Sequence, residues 1–589
     1  MRQTVLLAVG ILVIGLAGLG RAATETNAAA PDAYPALQVA GGFENAMTHG
    51  VRIEDARAQR PTVVIGGEQK RLDHQTIATR HQHKYYHYHL KLLHTAARTV
   101  RFRYGPFPGS DPHVSCLKTP VVYYDPAARK YEPVADVKAQ VVFLGGRDED
   151  RPKRQYWGSS IVFSHRFRED TAYLCQSYPF TNEDMDRLAT EASADPDATV
   201  VELGKSRFGR LPLRQIVVTD PEVPNAGKKG IWLHAGEDPW EFPGVIACAG
   251  AARWAMSDDP AAREFRRRFV LYVMPIVQPD AVRRGWTNYS LDAAYTQFIN
   301  FGWSYDRTDV PEHDLIVARV RAMKQAGLPV DYAESMHSSI SWSSFIRYQH
   351  GGEARSRQFV EKHYNARYVP WNAWHTYLKD EKSRKRFAHV TRKSGLVAFM
   401  KAPYPEVLYH ISHTEQILFP VKKMPGFPEP PFPAWGRTEW TDEDTRHMRG
   451  QMMGHRASDI EAWGVYRLLA LMEFFGYRVD ARHLCPQLMC GAVDGYASGG
   501  GQARTFTVLY RDIEGREPAR VTLHLADDSE HTMVRDCGTS ALHAIRFKAS
   551  VTVAAGKAYG FHFTASNGVT EVRYPPAGRF PGPYVTDAR

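Results

Sequence analysis

Between residues 229 and 337, short apolar runs alternate with longer stretches that suit a helix. The first run, Ile231 to Leu233, follows Lys-Lys-Gly and leads into a loop containing Gly and Pro. Residues 244–256 are mostly small or apolar and contain no proline, and residues 266–280 hold a strongly apolar run that ends in Pro-Asp. This order of strand, helix and strand predicts a βαβ unit of an α/β sheet.

Two further strands follow the same plan. A helix-compatible stretch over residues 313–327 stops at its glycine, and the next apolar segment ends at His337. Later, Val407, Leu408 and Ile411 lead into Glu415. Open α/β sheets bind ligands at the carboxyl ends of their strands, so the polar residues that end these runs are the first candidates for a functional site.

On both sides of this region the pattern changes to short alternating runs separated by turn residues, which is typical of antiparallel β structure. An amphipathic helix that stops at Gly476 and a Gly/Ser-rich segment end the α/β region. We therefore predict an N-terminal β-sandwich domain at 24–190, an α/β domain at 191–482, a linker at 483–502 and a C-terminal β-sandwich domain at 503–589.

The first residues have the composition of a signal peptide. An apolar run over residues 5–20 follows Arg2 and precedes an alanine-rich stretch, so we expect residues 1–23 to be a leader and the protein to be secreted or periplasmic. An uncleaved N-terminal anchor is the alternative. No later segment is apolar over the ~20 residues that a membrane span needs.

Composition excludes some classes of function. A formal net charge of +10 over 589 residues is a modest excess, and the basic runs are mixed with acidic residues. They also lack the paired aromatic residues of a base-stacking surface, so we expect no nucleic-acid partner. Six cysteines are too few for a disulfide framework in a chain of this length.

The candidate chemistry lies at the strand ends. His234 and Glu237 stand three residues apart after the first run, and His337 ends a later one. Two nitrogen ligands and one carboxylate, with a fourth position left for water, are a set that a catalytic zinc ion accepts. Chance also produces a few His-x-x-acid pairs in a chain of this composition, so it is their position at strand ends that favours one zinc site.

Glu415 is the candidate general base. Hydrolysis of a peptide bond needs a group that takes the proton of the attacking water and passes it to the leaving amine, and a partly desolvated Glu beside a cation suits this task. An exposed carboxylate at a strand end is the alternative interpretation of Glu415.

The order of these segments resembles the zinc metallocarboxypeptidase family, peptidase family M14. The blocks that carry the resemblance are LHAGEDPWEFPG, MPIVQPDAV, YAESMHSS and SHTEQILFP. Upstream, TAYLCQSYPFTNEDMDRL is similar to a segment of the β-sandwich that precedes the catalytic domain in the cytosolic-carboxypeptidase-like branch. The resemblance covers roughly residues 80–475. It implies a mixed-sheet metallocarboxypeptidase-like catalytic domain, flanked here by the two β-sandwich domains.

The resemblance also implies roles for individual residues. His234, Glu237 and His337 would be the zinc ligands and Glu415 the general base. Arg307 falls where the family has an Asn-Arg pair that binds the terminal carboxylate of the substrate, and a guanidinium suits a planar anion.

Two features leave the substrate-binding residues open. Asp306 stands in place of the Asn of that pair, which puts specificity for a terminal carboxylate in doubt. The family uses another arginine to stabilise the developing oxyanion. Arg283 and Arg284 are available for that role, but both also suit an exposed surface.

Three classes of function therefore compete. The first is a zinc carboxypeptidase that acts on peptide substrates near their carboxyl terminus. The second is a related zinc amidase, deacylase or cell-wall peptide hydrolase, which Asp306 keeps open. The third, a secreted binding protein on a decayed peptidase scaffold, ranks last because all four metal-binding and base residues are present in the sequence.

Overall fold

The structure is a computed structural model of the 589-residue chain. It describes the following residues: 34–44, 46, 51–65, 88–104, 120–128, 130–134, 138–148, 151–237, 241–285, 290–291, 298–299, 311–338, 345–350, 352–369, 373–374, 400, 403–413, 417–418, 426–427, 453–454, 456–480, 486–493, 497–499, 503–554, 559–582 and 584–586.

Within its described residues, the N-terminal unit contains ten strands in two five-stranded sheets. One sheet has the order β1-β4-β10-β6-β7 and the other β2-β3-β5-β9-β8. Apolar side chains of both sheets, among them Leu90, Phe102 and Leu174, share one buried cluster. The strands are β1 (Gln38–Ala40), β2 (Val51–Glu54), β3 (Thr62–Ile65), β4 (His89–Leu93), β5 (Thr99–Tyr104), β6 (Val121–Tyr123), β7 (Glu132–Pro133), β8 (Lys138–Asp148), β9 (Arg151–Arg166) and β10 (Thr171–Cys175).

An eight-stranded mixed sheet forms the centre of the molecule, in the order β11-β12-β14-β13-β17-β20-β18-β19. Strands β14, β13, β17 and β20 run parallel to one another, and β11, β12 and β18 pair antiparallel. The strands of this region are β11 (Ala198–Lys205), β12 (Pro212–Val218), β13 (Lys229–Ala235), β14 (Phe269–Met274), β15 (Ser290–Leu291), β16 (Phe298–Ile299), β17 (Tyr332–His337), β18 (Phe345–His350), β19 (Ala373–Trp374) and β20 (Leu408–His413).

Helices cover both faces of this sheet. They are α1 (Asn182–Ala194), α2 (Phe242–Met256), α3 (Pro260–Arg268), α4 (Pro279–Arg283), α5 (Pro311–Gln325), α6 (Glu353–Arg357), a π-helix (Gln358–Tyr368) and α7 (Ala457–Phe474). Helices α2 and α7 pack side by side in the largest buried cluster, where a Cβ atom at Gly464 would lie 1.9 Å from the carbonyl oxygen of Ala247. Helix α5 packs on the opposite face with Trp232 and Tyr272.

In the part of the C-terminal unit that the structure describes, two four-stranded sheets share a third buried cluster. The last strands of the chain are β21 (Ile417–Leu418), β22 (Met453–Gly454), β23 (Gln487–Val493), β24 (Ala497–Gly499), β25 (Ala503–Arg511), β26 (Arg520–Leu525), β27 (Glu530–Thr532), β28 (Val534–Ser540), β29 (Ala544–Thr552), β30 (Phe561–Ser566), β31 (Glu571–Tyr574) and β32 (Tyr584–Thr586).

Buried polar contacts join this unit to the central one. The Arg511 guanidinium donates to the carbonyl oxygens of Arg367 and Tyr368 at the end of the π-helix, with 2.6 Å to the latter. Asp459, in the first turn of α7, accepts from the Tyr574 hydroxyl at 2.7 Å and from the Cys490 amide at 3.0 Å. The C-terminal sheets are therefore held to the helices that support the central sheet.

The predicted mixed α/β fold is confirmed, with β13, α2 and β14 forming the expected βαβ unit. The strand predicted over residues 266–280 is shorter at both ends. Residues 279 and 280 begin helix α4, the strand runs only from Phe269 to Met274, and residues 266–268 end helix α3. The first turn of that helix is capped by Asp259, which accepts from the amide of Ala261. Among the described residues, no helix combines the length and apolar character that crossing a membrane requires.

Candidate metal centre

Two neighbouring parallel strands bring the predicted metal ligands to the same edge of the sheet. Strands β13 and β17 pair so that His234 lies opposite Ser335. His337 is two residues after Ser335, so its side chain is on the same face of the sheet as that of Ser335. The chain turns at Gly236, whose φ of +73° favours glycine, and places Glu237 above the strand ends. Residues separated by about a hundred positions in sequence thus meet because parallel pairing aligns the carboxyl ends of their strands.

The three side chains are in contact. His234 Nε2 lies 2.7 Å from Glu237 Oε1, and His337 Nε2 lies 3.9 Å from Glu237 Oε2. The hydroxyl of Ser335 donates to Glu237 Oε1 at 2.9 Å and lies 2.8 Å from His337 Nε2. His234 is fully buried and Glu237 is 7% exposed. The cluster therefore directs two imidazole nitrogens and a carboxylate toward one another.

The environment favours the ionised form of Glu237. Burial raises the pKa of this carboxyl group, but hydrogen bonds from His234 and Ser335 and the charges of His234 and His337 outweigh it and lower the pKa to about 2. The carboxylate is therefore charged at neutral pH, as a metal ligand must be.

The second nitrogen of each ring has a different partner. Glu241 Oε2 lies 2.7 Å from Nδ1 of His337 and accepts from the Ser338 amide at 3.1 Å. The indole N–H of Trp232 donates to Nδ1 of His234 at 3.1 Å. An indole N–H can only donate, so this contact keeps the proton of a neutral His234 ring on Nε2.

The residue types of this donor set suit zinc, although among the described residues no three such side chains are placed to hold a metal ion. Metal-bound histidines usually donate their second N–H to a carboxylate or carbonyl, and the Glu241 contact gives His337 that arrangement. His234 fits less directly, because a metal would need one of its two nitrogens and would therefore displace either the Trp232 or the Glu237 hydrogen bond. The set of two imidazoles and one carboxylate is that of catalytic zinc sites.

A second polar cluster lies on the opposite face of β17. Glu334 is fully buried, and its Oε2 lies 3.2 Å from Nε of Arg467 on helix α7. The hydroxyl of Tyr332 donates to the same carboxylate oxygen. Burial lowers the pKa of Arg467, but the charge of Glu334 outweighs it and raises this pKa above its ordinary value. The guanidinium also stacks 4.0 Å from the centre of the Tyr364 ring.

The remaining predicted site residues are less defined. Arg284 is the C-cap that follows helix α4 and is exposed, with its guanidinium 5.6 Å from the centre of the Phe208 ring. Glu415, Arg307 and Asp306 lie outside the described residues, so their roles stay predictions.

Sequence reasoning missed Ser335, Glu241 and His313. His313 lies in the first turn of helix α5 and is buried, and burial lowers its pKa although the charges of Asp314 and Glu237 oppose the shift. Ser335 and Glu241 both stood inside the quoted blocks, but nothing in their spacing connected them with the distant ligand.

Comparison with known proteins identifies similar carboxypeptidases. Residues 183–294, which include His234 and Glu237, match the sequence profile of the zinc carboxypeptidase family. A segment of 136 residues is 26% identical to cytosolic carboxypeptidase 2 of Xenopus tropicalis. The matched segment makes up 22% of this chain and 14% of that protein.

Solved structures share the fold. A metallo-carboxypeptidase of Pseudomonas aeruginosa, solved with (2-guanidinoethylmercapto)succinic acid, matches with a TM-score of 0.50 and 15% identity over 74% of this chain and 99% of its own. A protein assigned as a carboxypeptidase from Burkholderia mallei matches with a TM-score of 0.51 and 15% identity over 74% of this chain and 96% of its own. The predicted resemblance is confirmed: residues 183–294 are similar to the zinc carboxypeptidase family, peptidase family M14.

Proposed function

We propose that the protein is a zinc-dependent metallocarboxypeptidase that hydrolyses peptide bonds near the carboxyl terminus of its substrates. The observation that carries this proposal is the meeting of His234, Glu237 and His337 at the carboxyl edge of the central sheet. The match of residues 183–294 to the zinc carboxypeptidase family supports it.

Each residue has a proposed task in the reaction. His234, Glu237 and His337 would hold one zinc ion, which when bound would acidify a water molecule and polarise the scissile carbonyl group. Glu415 would take a proton from the attacking water and return it to the nitrogen of the leaving amine. Glu237 is suited to its task because its lowered pKa keeps it ionised.

Arginine side chains would bind the substrate. We assign Arg307 to the terminal carboxylate, because a guanidinium can bind a carboxylate through two parallel hydrogen bonds. Arg284 is a candidate for stabilising the oxyanion, since it ends the short helix α4 whose preceding residue, Gln278, donates to the carbonyl oxygen of Glu237. Asp306 would modulate the affinity of Arg307 for an anion.

We also propose that the flanking units at 24–190 and 503–589 are β-sandwich domains. Each region has two sheets around one buried cluster, which is the arrangement of a sandwich, and the C-terminal sheets also include β23 (Gln487–Val493) from the predicted linker. A secreted or periplasmic location is proposed from residues 1–23 alone, which lie outside the described residues. Amino-terminal sequencing of the protein isolated from its host would test for removal of this leader.

Zinc content and peptide trimming together test the main proposal. We expect one zinc ion per chain in the wild type and release of carboxyl-terminal residues from unblocked peptides. His337→Ala should lose both, whereas His531→Ala, which replaces a histidine of the C-terminal unit, should lose neither. Stoichiometric zinc and full trimming in His337→Ala would refute the assignment of this site.

An amidase or deacylase is the second candidate, and Asp306 beside Arg307 favours it because an acid at that position opposes the binding of a terminal carboxylate. Matched peptides with free and amidated carboxyl termini separate the two. A carboxypeptidase prefers the free terminus, because Arg307 has a charge to bind, whereas an amidase cleaves both or prefers the amide.

A further inference from the structure

Two histidines of the C-terminal unit are stacked on one another across neighbouring strands. His524 on β26 pairs with His562 on β30, and their rings lie nearly parallel, with centroids 4.4 Å apart and planes within 7°. Two neutral imidazoles can stack in this way, but two protonated ones at this distance repel each other. We propose that this stacked pair is a pH-sensitive switch, which loosens the hold of the C-terminal unit on the central one when both rings bind a proton.

The two rings differ in how they can accommodate a proton. Nδ1 of His524 lies 3.3 Å from Oε1 of Glu530 on β27, and its Nε2 lies 2.8 Å from the Thr564 hydroxyl. Nδ1 of His562 is buried and has no hydrogen-bond partner among the described residues. A proton on His524 therefore has a carboxylate beside it, whereas a second proton on His562 would face a protonated ring.

Charged side chains around the pair increase this difference. They come from β26, β27, β31 and the segment that follows β31, and they are Arg520, Glu530, Glu571, Arg573 and Arg579, the last of which pairs with Asp528. Burial lowers the pKa of His562 to about 4, helped by the charges of Arg573 and Arg579 and by the neighbouring ring. Burial also lowers the pKa of His524, although Glu530 opposes the shift.

The direction of the pH effect follows from these shifts. Both pKa values lie below the ordinary value of 6.5, so the folded unit binds fewer protons than the unfolded chain. The stability that the neutral pair provides is complete above about pH 6.5 and is lost as pH falls toward 4. Asp459 acts in the opposite direction, because its raised pKa lets the folded state bind a proton more tightly. Variants of the histidine pair retain Asp459, so comparison with the wild type separates the two effects.

Strand pairing links the histidines to the contact with the central unit. Phe563, the residue after His562, pairs with Tyr574 of β31. The Tyr574 hydroxyl donates to Asp459 in the first turn of α7, and the same carboxylate oxygen accepts from the Cys490 amide. Separation of β30 from β26 therefore disturbs the strand pair that holds Tyr574 against the central unit.

The alternative is that the stacked pair is only a packing contact. The protonated rings would then move apart toward solvent and leave both the sheet and the junction with α7 unchanged. In that case the accessibility of the junction would not depend on whether the side chain at position 562 can bind a proton.

Labelling of buried cysteines in the full-length protein tests the switch. Cys490 is buried at the junction and Cys248 is buried in helix α2, so the first reports on the junction and the second on the central unit. A pyridyl disulfide reagent, which reacts at acid pH, modifies each thiol when it becomes accessible, and mass spectrometry of the peptides gives both rates. We expect Cys490 to react about tenfold or more faster at pH 4.5 than at pH 7, relative to a free model thiol, with Cys248 unchanged.

Two substitutions of one histidine connect this response to the pair. His562→Phe keeps a ring in the stack but cannot bind a proton, and His562→Gln removes both the ring and the titration. Both should lose most of the acid response of Cys490, and His562→Phe should also keep the wild-type rate at pH 7. His531→Gln, which replaces a histidine of β27 outside the pair, is the matched control and should respond to acid like the wild type.

Three results would overturn the switch. The first is the same acid response of Cys490 in the wild type and in both His562 variants, and the second is no acid response in the wild type. The third is a rise for Cys248 that matches that for Cys490, because the whole chain would then be unfolding together. Zinc content and peptide trimming enter none of these outcomes, so the switch and the proposed function are tested independently.

Discussion

A cluster of buried side chains that includes carboxylates lies against each face of strand β17. The negative charge of the carboxylates is balanced differently in the two clusters. Beneath the sheet, Glu334 pairs with the guanidinium of Arg467, which is cationic at every pH that the protein meets. At the carboxyl edge, Glu237 and Glu241 contact imidazoles, which carry a positive charge only when they bind a proton. The first cluster supplies its own cation, whereas the second gains one by binding a proton or a metal.

This difference separates a structural pair from a functional site. A buried ion pair with a permanent cation joins β17 to helix α7 and needs nothing from solution. Carboxylates and imidazoles with lone pairs directed at one another are ligands that a divalent cation accepts. Neighbouring residues of one strand thus serve opposite purposes, and the four predictions that follow test this assignment.

The largest expected effect comes from the structural pair. Arg467→Met should lower the free energy of unfolding by about 3–5 kcal/mol, because the carboxylate of Glu334 would be left buried without its cation. Denaturant unfolding of the metal-free protein measures this, and zinc affinity of the folded fraction should be unchanged. The double variant Glu334→Met and Arg467→Met should recover most of the loss, since apolar side chains can replace such a pair. Equal loss in the single and double variants would contradict this account.

A third buried carboxylate, that of Asp459, accepts hydrogen bonds mainly from neutral donors. Its environment differs both from that of Glu334, which pairs with a guanidinium, and from that of Glu237, which contacts imidazoles. Its Oδ2 accepts from the Arg456 amide at 2.8 Å, the Cys490 amide at 3.0 Å and the Tyr574 hydroxyl at 2.7 Å. Burial raises the pKa of Asp459 to about 6, although these hydrogen bonds oppose the shift. Because the pKa in the folded state lies above that in the unfolded chain, the folded state binds the proton more tightly.

Stability should therefore fall as pH rises through the window from about 4 to 6. The ionised carboxylate costs up to about 2–3 kcal/mol at neutral pH, as two pKa units imply. Asp459→Asn keeps an acceptor oxygen without the charge, so it should remove this part of the pH dependence. The measurement is the difference in unfolding free energy between variant and wild type at several pH values. A difference that is constant from pH 4 to 7 would exclude the raised pKa.

Contacts between residues close together in the sequence could be predicted, whereas contacts between distant segments mostly could not. His234 and Glu237 lie in one turn, so their spacing in the sequence already showed that they could share an ion. His337 could be added because strands of a parallel sheet end at a common edge. The fold class followed from the alternation of apolar runs with helix-compatible stretches, which persists through the central region.

The remaining contacts depend on distances that the sequence does not encode locally. Glu241 meets His337 across 96 positions because Gly244 lets helix α2 approach β17 closely. Arg467 lies in a helix that the sequence pattern predicted to be amphipathic, and its guanidinium is almost fully buried. The sequence offered no sign that Glu334, which directly precedes Ser335 in YAESMH, would contact that arginine on the other side of the sheet.

Replacement of Ser335 tests the proposed metal-binding face of β17, and we expect it to have a smaller effect than the two preceding substitutions. Ser335→Ala removes the hydroxyl that contacts both Glu237 and His337, which should cost about 1 kcal/mol of stability and weaken zinc binding by up to about tenfold. Ser412→Ala is the matched control. Ser412 lies on β20 and pairs with Met336 of β17. It is fully buried, and its hydroxyl has no hydrogen-bond partner among the described residues. If the control loses as much zinc affinity as Ser335→Ala, the hydroxyl contact is irrelevant.

The smallest effect is expected from removing the indole N–H of Trp232, which donates to Nδ1 of His234. Trp232→Phe keeps a large aromatic ring in the core but removes the N–H that occupies Nδ1, so stability should fall by about 1 kcal/mol or less. Since zinc needs a nitrogen of this ring and the indole competes for one of them, affinity should stay level or rise by a few fold. This sign is opposite to that expected for Ser335→Ala, although both variants lose one hydrogen bond to the cluster. A marked fall in zinc affinity for Trp232→Phe would show that the indole supports metal binding rather than competing with it.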